Sequence, residues 1–216
     1  MKVILLLSGG IDSATLLYMM LRRKYEVIAL TFDYESEESM EIKAAKAIAE
    51  KVGVKHEVHE IEFYKSLENS PSSSQSKIID SQHGISNAYV PARNIVFFGM
   101  AAALAETNNA KLIISGHNKG DEERFPDTNS KFVRAINRVI EVGLKNKERS
   151  PKVAMPLRRL NKLQILKKAI RFKVPLELTW SCYNNGAEPC NMCYGCISRK
   201  HAFSSIGVVD PWKREN

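Results

Sequence analysis

The 216-residue chain has no cysteine outside positions 182 to 196, no run of lysine and arginine longer than three, and no internal repeat. Each absence removes a class of protein. A disulfide framework spread along the chain is excluded, and so is a solenoid. The apolar stretch Val3 to Leu7 is five residues long and bounded by Ser and Gly, too short for a membrane span and without a small-residue cleavage region. The expectation is a soluble protein of the reducing cytoplasm with no membrane partner. Aromatics are only 8% of the chain and form no stacking pattern, while the net charge of +8 is dispersed, so it reads as a solvated basic surface and no direct nucleic-acid contact is expected. A hydrophobic content of 44% at this length supports one full core with a small appended module. One domain, residues 1–216, is expected.

Short Val- and Ile-rich runs alternate with segments of helical period, the mark of an α/β fold with a mostly parallel five-stranded sheet flanked by helices. Strands are expected at 2–7, 26–32, 55–61, 111–115 and 153–157, and helices at 12–24, 39–52, 93–106, 131–142 and 162–172. Residues 63–88 lack a period and read as a long mobile loop, and 118–128 read as a second irregular stretch. Loops that follow strands are where open parallel sheets hold ligands.

Directly after the first strand and before the first helix comes Ser8-Gly9-Gly10-Ile11-Asp12-Ser13. Two glycines let the backbone turn so that successive N–H groups face an anion, and the helix start adds about half a positive charge. It is not a P-loop, which carries Lys after its second Gly, nor a dinucleotide fingerprint, which carries a third Gly. It resembles the SGGxDS pyrophosphate loop of the N-type ATP pyrophosphatases. That resemblance assigns Leu7, Ser8, Gly9, Gly10, Ile11, Asp12, Ser13, Ala14, Thr15, Leu16 and Leu17 to ATP. Phe32, at the end of the second strand, is a candidate for packing on adenine or a simple core residue.

Cys182, Cys190, Cys193 and Cys196 gather four soft ligands around Gly186, Pro189 and Gly195. One structural zinc ion in a closed four-sulfur site is the leading reading; an iron–sulfur cluster and oxidised thiols are the alternatives. The segment 179–210 is expected to depend on the metal for its folding. With all four thiolates so engaged, none is left for covalent catalysis.

Four further pieces stand between these ends: Val90-Pro91-Ala92-Arg93-Asn94, Ser115-Gly116-His117-Asn118, Phe125-Pro126-Asp127-Thr128 and Thr179-Trp180-Ser181-Cys182-Tyr183. In this order, with Lys162 before the last piece and Arg199 after the last cysteine, the whole chain resembles the 7-cyano-7-deazaguanine synthases, the QueC family. The resemblance implies an adenine nucleotide alpha hydrolase-like, Rossmann-like fold. It implies a cytoplasmic homodimer that uses 7-carboxy-7-deazaguanine, ATP with Mg²⁺, and ammonia to make a nitrile by two successive adenylations. Asp12, Arg93, Asp127 and Lys162 are then the catalytic candidates. Asp12 would meet Mg²⁺ or a loop amide, Arg93 and Asn94 the substrate or a phosphate, Asp127 the Mg²⁺ or ammonia, and Lys162 would clamp charge. For each, a cap or a surface ion pair is the plainer alternative.

The chain departs from the family pattern at Tyr34-Glu35-Ser36-Glu37, at Tyr194-Gly195, and at His117, Asn118 and Thr128. A related acceptor, RNA as in tRNA thiolases or a protein, is the rival reading. A thiolase would show a tRNA-binding extension and a spare sulfur-carrying cysteine. Synthetases coupled to amidotransferases share the loop without the cysteines, and an RNA-binding relic would show a damaged loop.

Overall fold

The computed structural model describes residues 1–34, 39–66, 90–145 and 150–212. Five strands form one parallel sheet in the order β3-β2-β1-β4-β5, with β1 Lys2–Leu6, β2 Glu26–Asp33, β3 Lys55–Glu60, β4 Leu112–Ile114 and β5 Lys152–Ala154. The expected sheet is therefore present. Strand residues alternate between two cores because successive side chains point to opposite faces. Val3, Leu5, Val27 and Ala29 meet α1 Ile11–Arg22, α2 Met40–Val52, α7 Lys162–Arg171 and α8 Tyr194–Ser204 on one face. Ile4, Ile28 and Leu30 meet α4 Arg93–Thr107 and α6 Ser130–Gly143 on the other.

The chain builds outward from β1 to β2 and β3, then returns to the other side of β1 with β4 and β5. The reversal leaves a crevice beyond the carboxyl ends of β1 and β4, the place where open sheets of this kind bind ligands.

Several expectations change. The fifth strand, expected at 153–157, spans Lys152–Ala154. Among the described residues it pairs only with the three-residue β4, and Pro156, which has no N–H, opens the following turn. The irregular stretch expected at 118–128 contains α5 Lys119–Arg124 and a 3₁₀ turn Pro126–Thr128. No residue of α5 is buried, so hydrophobic period could not reveal it; a capping box between Asn118 and Asp121 holds its start. In the loop expected at 63–88, α3 Glu62–Ser66 is helical, with Tyr64 buried and its hydroxyl donating to the Pro91 carbonyl at 3.0 Å. The rest of that loop, from 67 on, lies outside the described residues, as do Glu35, Ser36 and Glu37.

Caps explain most of the remaining boundaries. Ser39 accepts from Glu41 N, Asn129 from Lys131 N and Phe132 N, and Asn161 forms a capping box with Gln164. Each such cap is worth about 1 kcal/mol. At the other end of α1, the expected continuation to Lys24 stops at Arg22, and Lys24 turns to a φ of 58°.

At Gly9 the fold leaves no room for a side chain. Its φ is +78°, and an added Cβ would run into the Glu41 carbonyl and Ala44 of α2. Gly53, with φ +67°, has nothing within 4 Å of its missing Cβ. Gly9→Ala should therefore lower the melting temperature by about 5 °C or more, and Gly53→Ala by only a few degrees, since about 1 kcal/mol moves a domain of this size by roughly 2–4 °C. Equal melting shifts for the two variants in a calorimeter would show that α2 does not press on the loop.

Candidate active site

A cavity of about 590 Å³ opens at the crevice beyond β1 and β4. Its floor is the loop after β1. Ser8 N donates to Ser13 Oγ at 3.2 Å, and Ser13 Oγ donates to the Gly10 carbonyl at 3.2 Å, so the two serines close the loop on itself. Gly10 is the N-cap of α1 and offers no side-chain cap, which leaves the first-turn N–H groups available to an anion. Gly116 lies against this turn, its missing Cβ 3.1 Å from Ser13 N, so the loop after β4 can approach closely.

The structure brings Leu7, Ser8, Gly10, Ile11, Asp12, Ser13 and Phe32 to the cavity wall. Gly9 is turned against α2 behind them. Ala14, Leu16 and Leu17 are buried in the core beneath α1, and Thr15 donates to the Ile11 carbonyl at 2.6 Å, so these four support the loop from below. Phe32 is buried and packed at 4.2 Å on Phe97, and it also lines the cavity.

Asp12 and Lys162 meet. Lys162 Nζ donates to Asp12 Oδ1 at 2.7 Å and Asn118 Nδ2 donates to Oδ2 at 2.7 Å, so one carboxylate ties α1, α5 and α7 together at the cavity edge. Arg93, at the first turn of α4, donates from Nη1 to the Tyr34 hydroxyl at 3.2 Å. Asp127 does not line the cavity among the described residues; it takes part through its carbonyl, which accepts from Asn94 Nδ2 at 3.2 Å.

His117 completes this group. Its Nδ1 lies 2.8 Å from Ser115 Oγ and its Nε2 3.4 Å from Asn94 Nδ2. Since Asp127's carbonyl can only accept, the Asn94 amide must present its NH₂ there, and Nε2 must then be the acceptor nitrogen of a neutral ring. Burial first, and the Arg93 charge second, push His117 down from 6.5 to about 4. The ring stays uncharged at neutral pH.

The four cysteines come together at the far wall. Their sulfurs lie within 4.8 Å of one another, and three of the residues are buried. A tetrahedral ion with metal–sulfur bonds of about 2.3 Å sets sulfurs roughly 3.8 Å apart, close to the 4.0 Å between Cys182 and Cys193. Backbone N–H groups point at the sulfurs, from Asn184 and Cys190 to Cys182, from Tyr183 to Cys193, and from Cys193 to Cys190, which favours thiolates. This donor set fits a metal ion. Arg199, 1% exposed, does not reach the cavity; it binds Asp210, the Thr179 carbonyl and the Leu176 carbonyl, and so closes the segment around the cluster.

A family model described as "Queuosine biosynthesis protein QueC" matches residues 2–207. The chain belongs to the QueC family. Relatives named 7-cyano-7-deazaguanine synthase include one from Sulfurimonas denitrificans, 36% identical and covering 97% of this chain and 96% of that protein. Another, from Methanoculleus marisnigri, is 32% identical and covers 99% of each. Among solved structures, a 4-thiouridine synthetase–RNA complex with bound ATP superposes with a TM-score of 0.55 at 20% identity, covering 94% of this chain and 53% of that one. NMN synthetase from Francisella tularensis gives 0.54 at 17%, covering 96% and 77%. At such identities these two establish the shared adenine nucleotide alpha hydrolase-like fold. The family membership makes this chain an enzyme.

Two features of this QueC-family site were not foreseen as contacts. Asn118 binds Asp12, and the Asn118-to-Asp121 spacing of a capping box marks the helix start that positions it. Tyr194 stacks against Arg124, whose guanidinium carbon lies 3.6 Å from the ring centre. Neighbouring Gly195 faces the Ser181 carbonyl so closely that no Cβ fits.

The His117 assignment can be tested by titration. A folded pKa below the unfolded 6.5 means that the ring's contribution to stability is complete above pH 6.5 and is lost as pH falls through about 4. The His117 ring protons should titrate by NMR near pH 4, and His117→Gln should flatten the stability loss over that window. A midpoint close to that of a free histidine would refute the buried neutral ring.

Proposed function

We propose that the protein converts 7-carboxy-7-deazaguanine and ammonia to 7-cyano-7-deazaguanine, consuming two ATP and releasing two AMP and two pyrophosphate, on the route to queuosine or archaeosine. The observation that carries this is the open α1 N-terminus at the switch point, set beneath the Asp12–Lys162 pair in a chain of this family. A carboxylate is a poor electrophile because it would have to expel oxide. Attack of its oxygen on the α-phosphorus releases pyrophosphate and leaves an acyl adenylate, from which ammonia displaces AMP to give the amide. The amide oxygen then attacks a second α-phosphorus, and loss of AMP and a proton leaves the nitrile.

The chain's own groups supply the electrostatics of both rounds. The N–H groups of the Gly9–Gly10 turn and the hydroxyls of Ser8 and Ser13 would hold the phosphates, and Lys162 would stabilise negative charge on the leaving pyrophosphate. Asp12 would hold Mg²⁺ with those phosphates. Asp127 would act through its carbonyl and its charge rather than as a direct ligand.

Zinc is the metal we assign to the four cysteines. A single ion accounts for sulfurs this close, whereas a cubane cluster places iron atoms between them and spreads them further apart. A closed four-thiolate site keeps no open position, so the ion's part is structural. The same reading includes a single domain over 1–216 with its metal segment at 179–210, small-molecule substrates without a nucleic-acid acceptor, and a cytoplasmic homodimer.

The decisive assay is mass spectrometry of the protein with ATP, Mg²⁺, ammonium and the acid. Nitrile with two AMP per turnover supports the proposal; AMP formed only with an RNA or protein acceptor transfers the chain to the rival reading. Lys162→Met should lower turnover by about 10²-fold or more, the scale of losing one transition-state donor, and an unchanged rate would remove Lys162 from the chemistry.

Metal removal gives a separate test. Trp180 N donates to the Gly9 carbonyl at 2.9 Å, and both tryptophans of the chain, Trp180 and Trp212, pack beside the cysteines with rings 5.1 Å apart. Stripping zinc with a chelator should shift tryptophan fluorescence and weaken ATP binding together. Retention of full ATP affinity by the stripped protein would uncouple the two sites.

A further inference from the structure

Asn94 is 3% exposed, yet it forms part of the cavity wall. Its NH₂ group is used twice, toward the Asp127 carbonyl and toward His117 Nε2. Its carbonyl oxygen has no partner among the described residues, and it is not one of the side-chain atoms sealed from the surface, which places it on the cavity face. An amide carbonyl left unpaired in a nearly buried residue costs about 1–3 kcal/mol unless water or a ligand satisfies it. Nothing in the fold requires that cost.

The neighbouring residue supplies the opposite character. The Arg93 guanidinium makes one hydrogen bond, to the Tyr34 hydroxyl, and no ion pair among the described residues, so most of its N–H donors are open to a ligand. Alongside runs an aromatic wall, Phe32 stacked on Phe97 and Tyr34 5.3 Å from Phe97. An acceptor beside a donor, next to flat apolar rings, matches the edge of a planar heterocycle in which a ring carbonyl adjoins a ring N–H.

Two heterocycles would enter this cavity: the adenine of ATP and the ring of the acid. Phe32 and Tyr34 come from the end of β2, whereas the groups that fix the Asn94 amide come from the loop after β4 and the Pro126–Thr128 turn, and of the two heterocycles only the acid carries a ring carbonyl beside a ring N–H. We propose that Arg93 and Asn94 form the specificity site for the acid, Arg93 donating to its ring carbonyl and Asn94 Oδ1 accepting from the adjacent ring N–H. This rests on the proposed function. His117 is then a positioning residue, since its lone pair helps to hold the Asn94 amide the right way round.

The test uses the zinc-loaded protein and two probes, 7-carboxy-7-deazaguanine and the corresponding 7-deazaadenine acid, in which an amino group replaces the ring carbonyl and the adjacent N–H is lost. Calorimetric titration should show the first bound on the order of ten- to a hundredfold more tightly, the discrimination expected of a paired donor–acceptor contact. Asn94→Ser should narrow that gap and leave ATP affinity unchanged. Equal binding of the two acids by the unaltered protein overturns the assignment, and this comparison holds even if the serine variant fails to fold. A serine variant that loses ATP affinity while keeping the preference between acids would reassign the edge contact to adenine. Failure of the unaltered protein to bind either acid would overturn the proposed function itself and this assignment with it, a result distinct from binding without preference.

Discussion

The hydrogen bond from Trp180 N to the Gly9 carbonyl joins parts of the chain that lie far apart in sequence, and the site depends on it. Gly9 is also pressed against α2 through Glu41 and Ala44, while Ala44 belongs to the same buried cluster as Trp180, Cys182, Cys193 and Cys196. The loop after β1 is thus fixed from behind by a helix and from the side by the cysteine segment. A Gly-rich turn has high conformational entropy when free, so a binding loop needs such external restraint to present its N–H groups in one arrangement. A structural ion contributing on the order of ten kcal/mol to local folding is far more than the roughly 1 kcal/mol that a single backbone hydrogen bond adds. With the proposed ion bound, the cysteine segment would be the anchor and the loop what it holds.

The polar side of the cavity obeys a similar economy of partners. Asp12 binds Lys162 and Asn118, Asn118 caps α5, and Asp121 returns to Asn118 N at 2.9 Å. Asp121 is pushed up from its ordinary value by burial, with Asp12 adding to the rise, against hydrogen bonding from Asn118 and the charges of Lys162 and Arg124. Two carboxylates in one wall repel each other, and the cations between them offset that repulsion. A divalent cation arriving with phosphates, as the proposed function requires, would act in the same sense.

How far the sequence revealed this arrangement depends on the kind of signal. The strands and the long helices followed from period, and the phosphate loop and cysteine spacing from the chemistry that fixed residue types impose. Period failed where no apolar face exists: α5 has no buried residue and is held by its capping box. It also failed in α8, which opens at Tyr194 inside the cysteine segment, where the eye is drawn to ligand spacing. Asp12, Arg93 and Lys162 do reach the cavity wall, but their partners are set by contacts across more than fifty residues, such as Lys162 to Asp12 or Arg93 to Tyr34. No local rule encodes these. Asp127 shows the converse, a residue marked for its carboxylate that takes part through its backbone.

The positions expected to depart from the family pattern are joined by contacts. Gly195 is demanded by the Ser181 carbonyl, which occupies the space a Cβ would take. Tyr194 beside it lies under the Arg124 guanidinium, and Arg124 is fixed by donating from Nε to the Gly120 carbonyl at 3.0 Å within α5. That helix begins at Asn118, another of the departures, whose side chain reaches Asp12. The altered positions on the metal segment and those after β4 therefore face each other across one seam at the cavity edge. A cation stacked on an aromatic ring is worth about 0.5–1 kcal/mol where exposed and more where dry. Changing one side of such a seam alone would forfeit that energy, so Tyr194 and Arg124 are best regarded as a single device that ties the metal segment to the helix holding the Asp12 wall.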